Sequence, residues 1–344
     1  FRKKGTDPNE TLDKLVRRRL GDSFLDYAVD PFILGIYAGD PSRLVTRYAM
    51  PKLYRLEQEY GSFIKGSIKK AKEPRTEEQK KVTKQLFSIE GGLENLTNAL
   101  VREIGEDSFV FNCEKLSVYP KDGLFSISYV QDGISHELRE DVVITTTGAH
   151  EVPSILPFLN SEEKATISDL LYARVVQVAV GFKNWRGIPL RAFGGLVPSK
   201  ENRKILGVLF PSAFLNNRAP EGGAILSVFL GGVRNPGIVD LDDATIKDMV
   251  MEELRCMMLI CNQEPDLIKV FRHTHAIPQY GVSTGKRLDI IAKIESQFPG
   301  LIIGGNLRDG IGMADRIKQG TQIAKQLIEK SELQLAGRVT GAPV

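Results

Sequence analysis

The sequence is short of the residues that staple, coordinate or anchor a chain. Three cysteines, Cys113, Cys256 and Cys261, stand among 344 residues, and no two of them form a Cys-x-x-Cys pair. So sparse a set supports neither a zinc ribbon nor a disulfide framework. It predicts a reducing, intracellular compartment instead. No apolar run approaches the ~18–20 residues of a membrane-crossing helix, and no signal-peptide pattern is visible. The hydrolase elbow G-x-S-x-G and the zinc-protease H-E-x-x-H are both missing, and nothing marks a Cys/His nucleophile pair. The dinucleotide fingerprint G-x-G-x-x-G occurs nowhere, although a free-standing Rossmann domain opens with it.

What is present describes a globular chain. Of its residues 42% are hydrophobic and 26% charged, enough to build a sizeable core and more than one domain. The net charge of +3 is unevenly spread. Residues 1–90 carry 19 Lys and Arg against 13 Asp and Glu, a net +6, and the remainder carries a net −3. A basic end suits an anionic partner such as a lipid leaflet, nucleic acid or a carboxylated ligand. A solvated helical surface accounts for such a charge run equally well.

Periodicity divides the chain into a helical start and an alternating remainder. Leu12, Leu15, Val16 and Leu20 lie on one helix face, and Phe24, Tyr27, Ala28 and Phe32 continue a second. Gly39-Asp-Pro-Ser42 stops it with turn chemistry. Lys69–Lys84 is charged and aperiodic, which predicts an exposed connection. Leu93 opens a helix to about Glu103. Short strands are predicted at Phe109–Phe111 and Leu116–Val118, and a hairpin turns at Gln131-Asp-Gly133. Val142–Thr147 is a β-branched run of the kind buried in parallel sheets. Strands at 175–182, 224–230 and 267–275 bracket an amphipathic helix at 242–261.

Two constellations carry chemistry. Leu301-Ile-Ile-Gly-Gly-Asn-Leu-Arg-Asp-Gly-Ile-Gly-Met313 runs a buried strand through glycines into a helix N-terminus. That geometry cradles an anion or an electron-rich ring edge, and a tight βα turn without a ligand reads the same way. Phe193-Gly-Gly-Leu196, Leu209-Phe210 and Phe229 form an apolar set on predicted strands. It suits a core, or the walls of a large flat ligand. His273 and His275 share one side of a strand, but a metal site lacks its third ligand there, so none is expected.

Several segments in order resemble the oxygen-dependent protoporphyrinogen oxidases. They are Leu20-Gly-Asp-Ser, Asp30-Pro-Phe32, Gly35-Ile-Tyr-Ala-Gly-Asp-Pro-Ser42, Tyr54-Arg-Leu-Glu57, Phe87-Ser-Ile-Glu-Gly-Gly-Leu93, Leu206-Gly-Val-Leu-Phe-Pro-Ser212, Asn217-Arg-Ala-Pro220, Ala276-Ile-Pro-Gln-Tyr280 and Gly304-Gly-Asn306 with Gly310-Ile-Gly312. The resemblance implies an α/β (α+β) chain similar in fold to amine oxidases and phytoene desaturases. Residues 1–85 are then a helical membrane-binding region, 86–150 with 291–330 a partial FAD-binding domain, and 151–290 a mixed-sheet substrate domain. It implies oxidation of protoporphyrinogen IX by oxygen through FAD, with no side-chain acid or base assigned; the alternatives are another flavin amine oxidase or desaturase-like enzyme, or a non-catalytic tetrapyrrole-binding derivative of the fold. A peripheral membrane surface and a homodimer are implied partners, and nucleic acid is not. Ile311, Gly312 and Met313 match the triplet that contacts FAD, and Lys115 matches a backbone contact to the adenine. His273 stands where the family often has a Trp against the flavin, and an imidazole there can still stack or hydrogen-bond. Phe193, Gly194, Leu196, Phe210 and Phe229 match the tetrapyrrole walls. The pyrophosphate fingerprint, the ribose carboxylate and the propionate-pairing Arg of the family fall before Phe1. The expectation is therefore that these 344 residues alone hold FAD weakly or not at all.

Overall fold

A computed structural model describes residues 4–74, 80, 82, 87–260 and 263–340. In chain order the helices used below are α1 (Leu12–Arg19), α2 (Asp30–Tyr37), α3 (Pro51–Tyr60), α4 (Phe63–Ala71), α5 (Glu94–Ile104), α6 (Ser161–Ser168), α7 (Asp243–Met258), α8 (Thr284–Gln297) and α9 (Met313–Thr340). The strands are β1 (Glu114–Lys121), β2 (Leu124–Gln131), β3 (Ile134–Glu140), β4 (Val143–Thr145), β5 (Tyr172–Phe182), β6 (Gly194–Leu196), β7 (Ile205–Leu209), β8 (Ala224–Gly231), β9 (Leu267–Pro278) and β10 (Leu301–Ile303). Two compact units result. One holds residues 1–114, 131–133 and 172–282, and the other holds 115–130, 134–171 and 283–344.

The first unit is built on a five-stranded sheet ordered β6-β7-β8-β5-β9. The sheet was expected to be mixed, yet each of these pairings is antiparallel. Strict alternation decides its two faces. Val176, Val178 and Val180 of β5 are fully buried with Leu226, Val228 and Leu230 of β8, against Ile246, Val250 and Leu254 of α7. Asp242 starts α7 by accepting the Thr245 N–H at 2.8 Å, which satisfies one of the amides a helix leaves unpaired. Arg272 of β9 bonds Asp243 at 2.6 Å and the Leu241 carbonyl at 2.6 Å, fixing the entry to that helix.

The opposite face of the sheet carries Gln177, Ser227, Phe229 and His273, as the register Gln177↔Phe229 and Val175↔His273 requires. Helix α2 covers one end of it, where Leu34 and Ala38 pack with Ala173, Val175 and Leu206. Gly35 lets the helix come close to β6 there, because a Cβ would push the Leu196 side chain aside. A π-helical turn at Leu25–Val29 leads into α2. Within the expected connection, Lys69–Ala71 continue α4, and most positions beyond Pro74 up to Leu86 lie outside the described residues, as does Cys261.

The second unit contains a β1-β2-β3 meander and a parallel pair, β4 with β10. The pair runs in register Val143↔Leu301 to Thr145↔Ile303. Both tight turns of the meander have an Asp-Gly at positive φ, Asp122 and Gly123 in one, Asp132 and Gly133 in the other. That geometry matches the twist of a two-residue hairpin. Helices α6 and α8 bury Ile167, Ile291 and Ile294. A capping box of Asn160 and Glu163 starts α6. Among the described residues, no helix is long and apolar enough to cross a membrane.

Candidate active site

A cavity of about 410 Å³ opens between α2 and the uncovered sheet face of the first unit. Leu34 and Gly35 of α2, with Ala38 just past its end, form one side. Val175, Leu206 and Phe229 form an apolar floor, and Ala276 and Ile277 close one end. Three polar side chains interrupt it: Gln177, Ser227 and His273. Apolar walls with a few placed polar groups are the usual make-up of a small-molecule site.

The helix on top is fastened by buried charge. Asp30, 7% exposed, accepts the Ser199 N–H at 2.8 Å, the Ser199 hydroxyl at 3.1 Å and Arg234 at 2.8 Å. Arg234 also reaches Asp40 at 3.1 Å. Burial pushes the Asp40 carboxyl up, but hydrogen bonds from Arg234 and Ser42 outweigh it and hold the group below its ordinary value. Arg234 itself is raised, its two carboxylates outweighing desolvation. A second clamp sits on Glu57, whose side chain is fully buried and accepts from both Arg18 and Arg19. This joins α1 to α3 and explains the carboxylate of the Tyr54-Arg-Leu-Glu57 motif.

The residues singled out in the sequence fall into two groups. In the first unit, His273 and Phe229 both line this cavity. Leu196, 45% exposed, lies against Gly35. Phe193 is 56% exposed and meets Phe214 edge-to-face at 4.7 Å. Gly194 pairs with Leu209 across β6 and β7, where a Cβ would collide with the Val208 carbonyl. Phe210 is 7% exposed and belongs to the α7-side core, away from this cavity's lining. In the second unit, Ile311, Gly312 and Met313 enter α9, and Lys115 stands exposed at the start of β1 with φ 52°. His275 packs edge-to-face on Tyr172 at 5.7 Å. No group of side chains able to hold a metal occurs among the described residues.

The glycine loop of the second unit is held by its own polar groups. The Gly304 N–H donates to the Thr145 carbonyl at 2.8 Å, and the Gly305 N–H donates to Gln319 at 2.9 Å. The Gly312 N–H donates to Asp315 at 3.0 Å. Arg316 donates to the carbonyls of Gly305, Arg308 and Gly310. Gly310 has φ 101°, and a Cβ there would meet the Asp315 carboxylate. Beside this turn the hydroxyls of Thr145 and Thr147 are buried and have no partner among the described residues. Orphan hydroxyls at the carboxyl ends of parallel strands, beside a glycine turn and a helix N-terminus, fit a polar ligand such as part of a flavin nucleotide.

Sequence reading missed Gln177, Ser227, Arg234 and the two threonines. One signal was available for Gln177: it is the polar residue inside the run Val175-Val-Gln-Val-Ala-Val180, on the face opposite the valine core.

The architecture is that of the FAD-dependent oxidoreductases. Residues 1–328 match the flavin containing amine oxidoreductase family, and the chain belongs to that family. Within it the similarity runs to porphyrinogen oxidases. The mitochondrial protoporphyrinogen oxidase of Nicotiana tabacum is 31% identical over 95% of this chain and 69% of its own length. Coproporphyrinogen III oxidase of Bacillus subtilis (strain 168) is 27% identical over 92% of this chain and 66% of its own. A solved protein from Exiguobacterium sp. 255-15, a candidate protoporphyrinogen oxidase, superposes with a TM-score of 0.74 at 25% identity. That match covers 94% of this chain and 67% of the solved one.

Proposed function

We propose that the chain belongs to an enzyme that oxidises protoporphyrinogen IX to protoporphyrin IX with FAD and oxygen. The observation that carries the reading is the apolar cavity on the open sheet face, in a chain whose relatives are named porphyrinogen oxidases. FAD, when bound, supplies hydride acceptance and reoxidation by oxygen. The protein's task is then to bind, orient and keep water out. Phe229, Val175 and Leu206 give the ring an apolar bed, and α2 covers it, pinned by Asp30, Asp40 and Arg234. His273 stands at this bed as a polar neighbour. In the other unit Thr145, Thr147 and the turn through Ile311, Gly312 and Met313 are the groups suited to hold flavin, and the backbone at Lys115 to meet its adenine.

The reading also includes a peripheral membrane contact. Ile64 and Ile68 of α4 are 77% and 54% exposed beside Lys65, Lys69 and Lys70, which suits an anionic leaflet. A homodimer rests on the family resemblance alone and is read by light scattering.

Tetrapyrrole binding tests the central reading. Protoporphyrinogen IX should bind and, with added FAD kept well below the substrate concentration, turn over to fluorescent porphyrin beyond the FAD supplied only in the presence of oxygen. Tighter binding of the tetracarboxylate coproporphyrinogen III would move the substrate to that of the Bacillus relative. Absence of binding by either would overturn the reading.

A further inference from the structure

We infer that Gln177 is the group that tells the reduced ring from the oxidised one; the inference rests on the tetrapyrrole reading above. Gln177 is the only amide side chain lining the apolar cavity. Its Nε2 donates to the Ser227 hydroxyl at 2.8 Å, which leaves Oε1 as the amide atom free to accept. Among the described residues no donor reaches Gln177 Oε1. The register sets Gln177 beside Phe229 on β8 and Phe271 on β9, with His273 two residues further along β9. The cavity therefore presents one unused carbonyl oxygen on a lining that is otherwise mostly apolar. A ligand that displaces water from this acceptor loses binding free energy unless it supplies a donor in its place.

The substrate and product of the proposed reaction differ in the donors they can offer. In a porphyrinogen the four bridging carbons are tetrahedral, so the ring puckers. Its four pyrrole N–H groups can then tilt to one face and converge on one acceptor. In a porphyrin the ring is flat, and its two remaining N–H groups point inward in the ring plane. Gln177 Oε1 can accept from the first and not from the second. Oxidation thus removes the hydrogen bonds that held the substrate, while the apolar contacts with Phe229 and Val175 stay. The product is released because the site no longer satisfies its acceptor. Each neutral hydrogen bond gained or lost in such a site changes binding by about threefold to tenfold.

The test is an anaerobic competition under argon, without added FAD, so that neither ring form is converted. Protoporphyrin IX bound to the protein is displaced by chemically reduced protoporphyrinogen IX and followed by porphyrin fluorescence. The wild-type protein should prefer the reduced ring by at least about threefold, the worth of one hydrogen bond. Gln177→Met, close in shape but without an acceptor, should bind both rings with no such preference. Gln177→Glu retains acceptor oxygens and should keep it. Thermal melting of both variants confirms that the fold is intact. A wild-type protein that binds the two rings equally would overturn the inference and leave the tetrapyrrole reading standing. So would a preference that persists in Gln177→Met or disappears in His273→Phe alone. A preference for the oxidised ring would mean that the amide presents its NH2, and would overturn it too. If neither ring binds the wild-type protein, it is the reading underneath that has failed.

Discussion

At the residue scale, the charges that fasten α2 are the most instructive. Asp30 and Asp40 both take Arg234, and Asp40 also takes Ser42. The Asp40 carboxyl is depressed in the folded state. Its contribution is then fully present above the ordinary carboxylate value and is lost as pH falls through the depressed one. Asp40→Asn should be less stable than the wild type at pH 7 by ~1–2 kcal/mol, a charge-assisted bond in a half-buried setting. Because the wild type alone loses this term in acid, the gap should close below about pH 4. Thermal melts from pH 7 to pH 3 read the effect, and a gap that widened in acid would contradict the account. None of this was legible beforehand. Gly39-Asp-Pro-Ser42 read as a turn, which it is, but Arg234 lies 194 residues from Asp40, and no local pattern announces so distant a partner.

At the element scale, alternation was the dependable signal. The valines of β5 marked its core face, and the continuous run at Val142–Thr147 did become a parallel strand, β4. Shape determined by single backbone residues was less visible. Phe109–Phe111 looked like a strand, yet Asn112 turns left-handed at φ 57° and the two rings stack at 5.8 Å outside any ladder. Helix α4 leaves Ile64 and Ile68 exposed, and the membrane proposal rests on these two residues. The pair Ile64→Glu, Ile68→Glu should reduce sedimentation with anionic liposomes at low salt severalfold, since each removed anchor forfeits ~1–2 kcal/mol of apolar burial. Unchanged sedimentation would detach α4 from the membrane proposal.

At the scale of the whole molecule, the family was legible because its motifs fall in order along the chain, and the match over residues 1–328 agrees. The site was only partly so. Phe229 and His273 could be carried over from the resemblance and do line the cavity, whereas Phe210, two residues past core-facing Val208, packs with it in the core. The polar centre at Gln177 and Ser227 needed the sheet register before the two residues could be seen as neighbours, 50 positions apart. The account's central claim is that the open sheet face, and not the α7 face, binds a tetrapyrrole. Titration of protoporphyrin IX against Phe229→Ala and Leu254→Ala tests it most directly. Phe229→Ala should weaken binding about tenfold, the loss of one large apolar contact. Leu254→Ala should lower the melting temperature, at a cost of ~2–5 kcal/mol for a fully buried leucine, and leave binding unchanged. Equal binding by Phe229→Ala and the wild type would contradict the account.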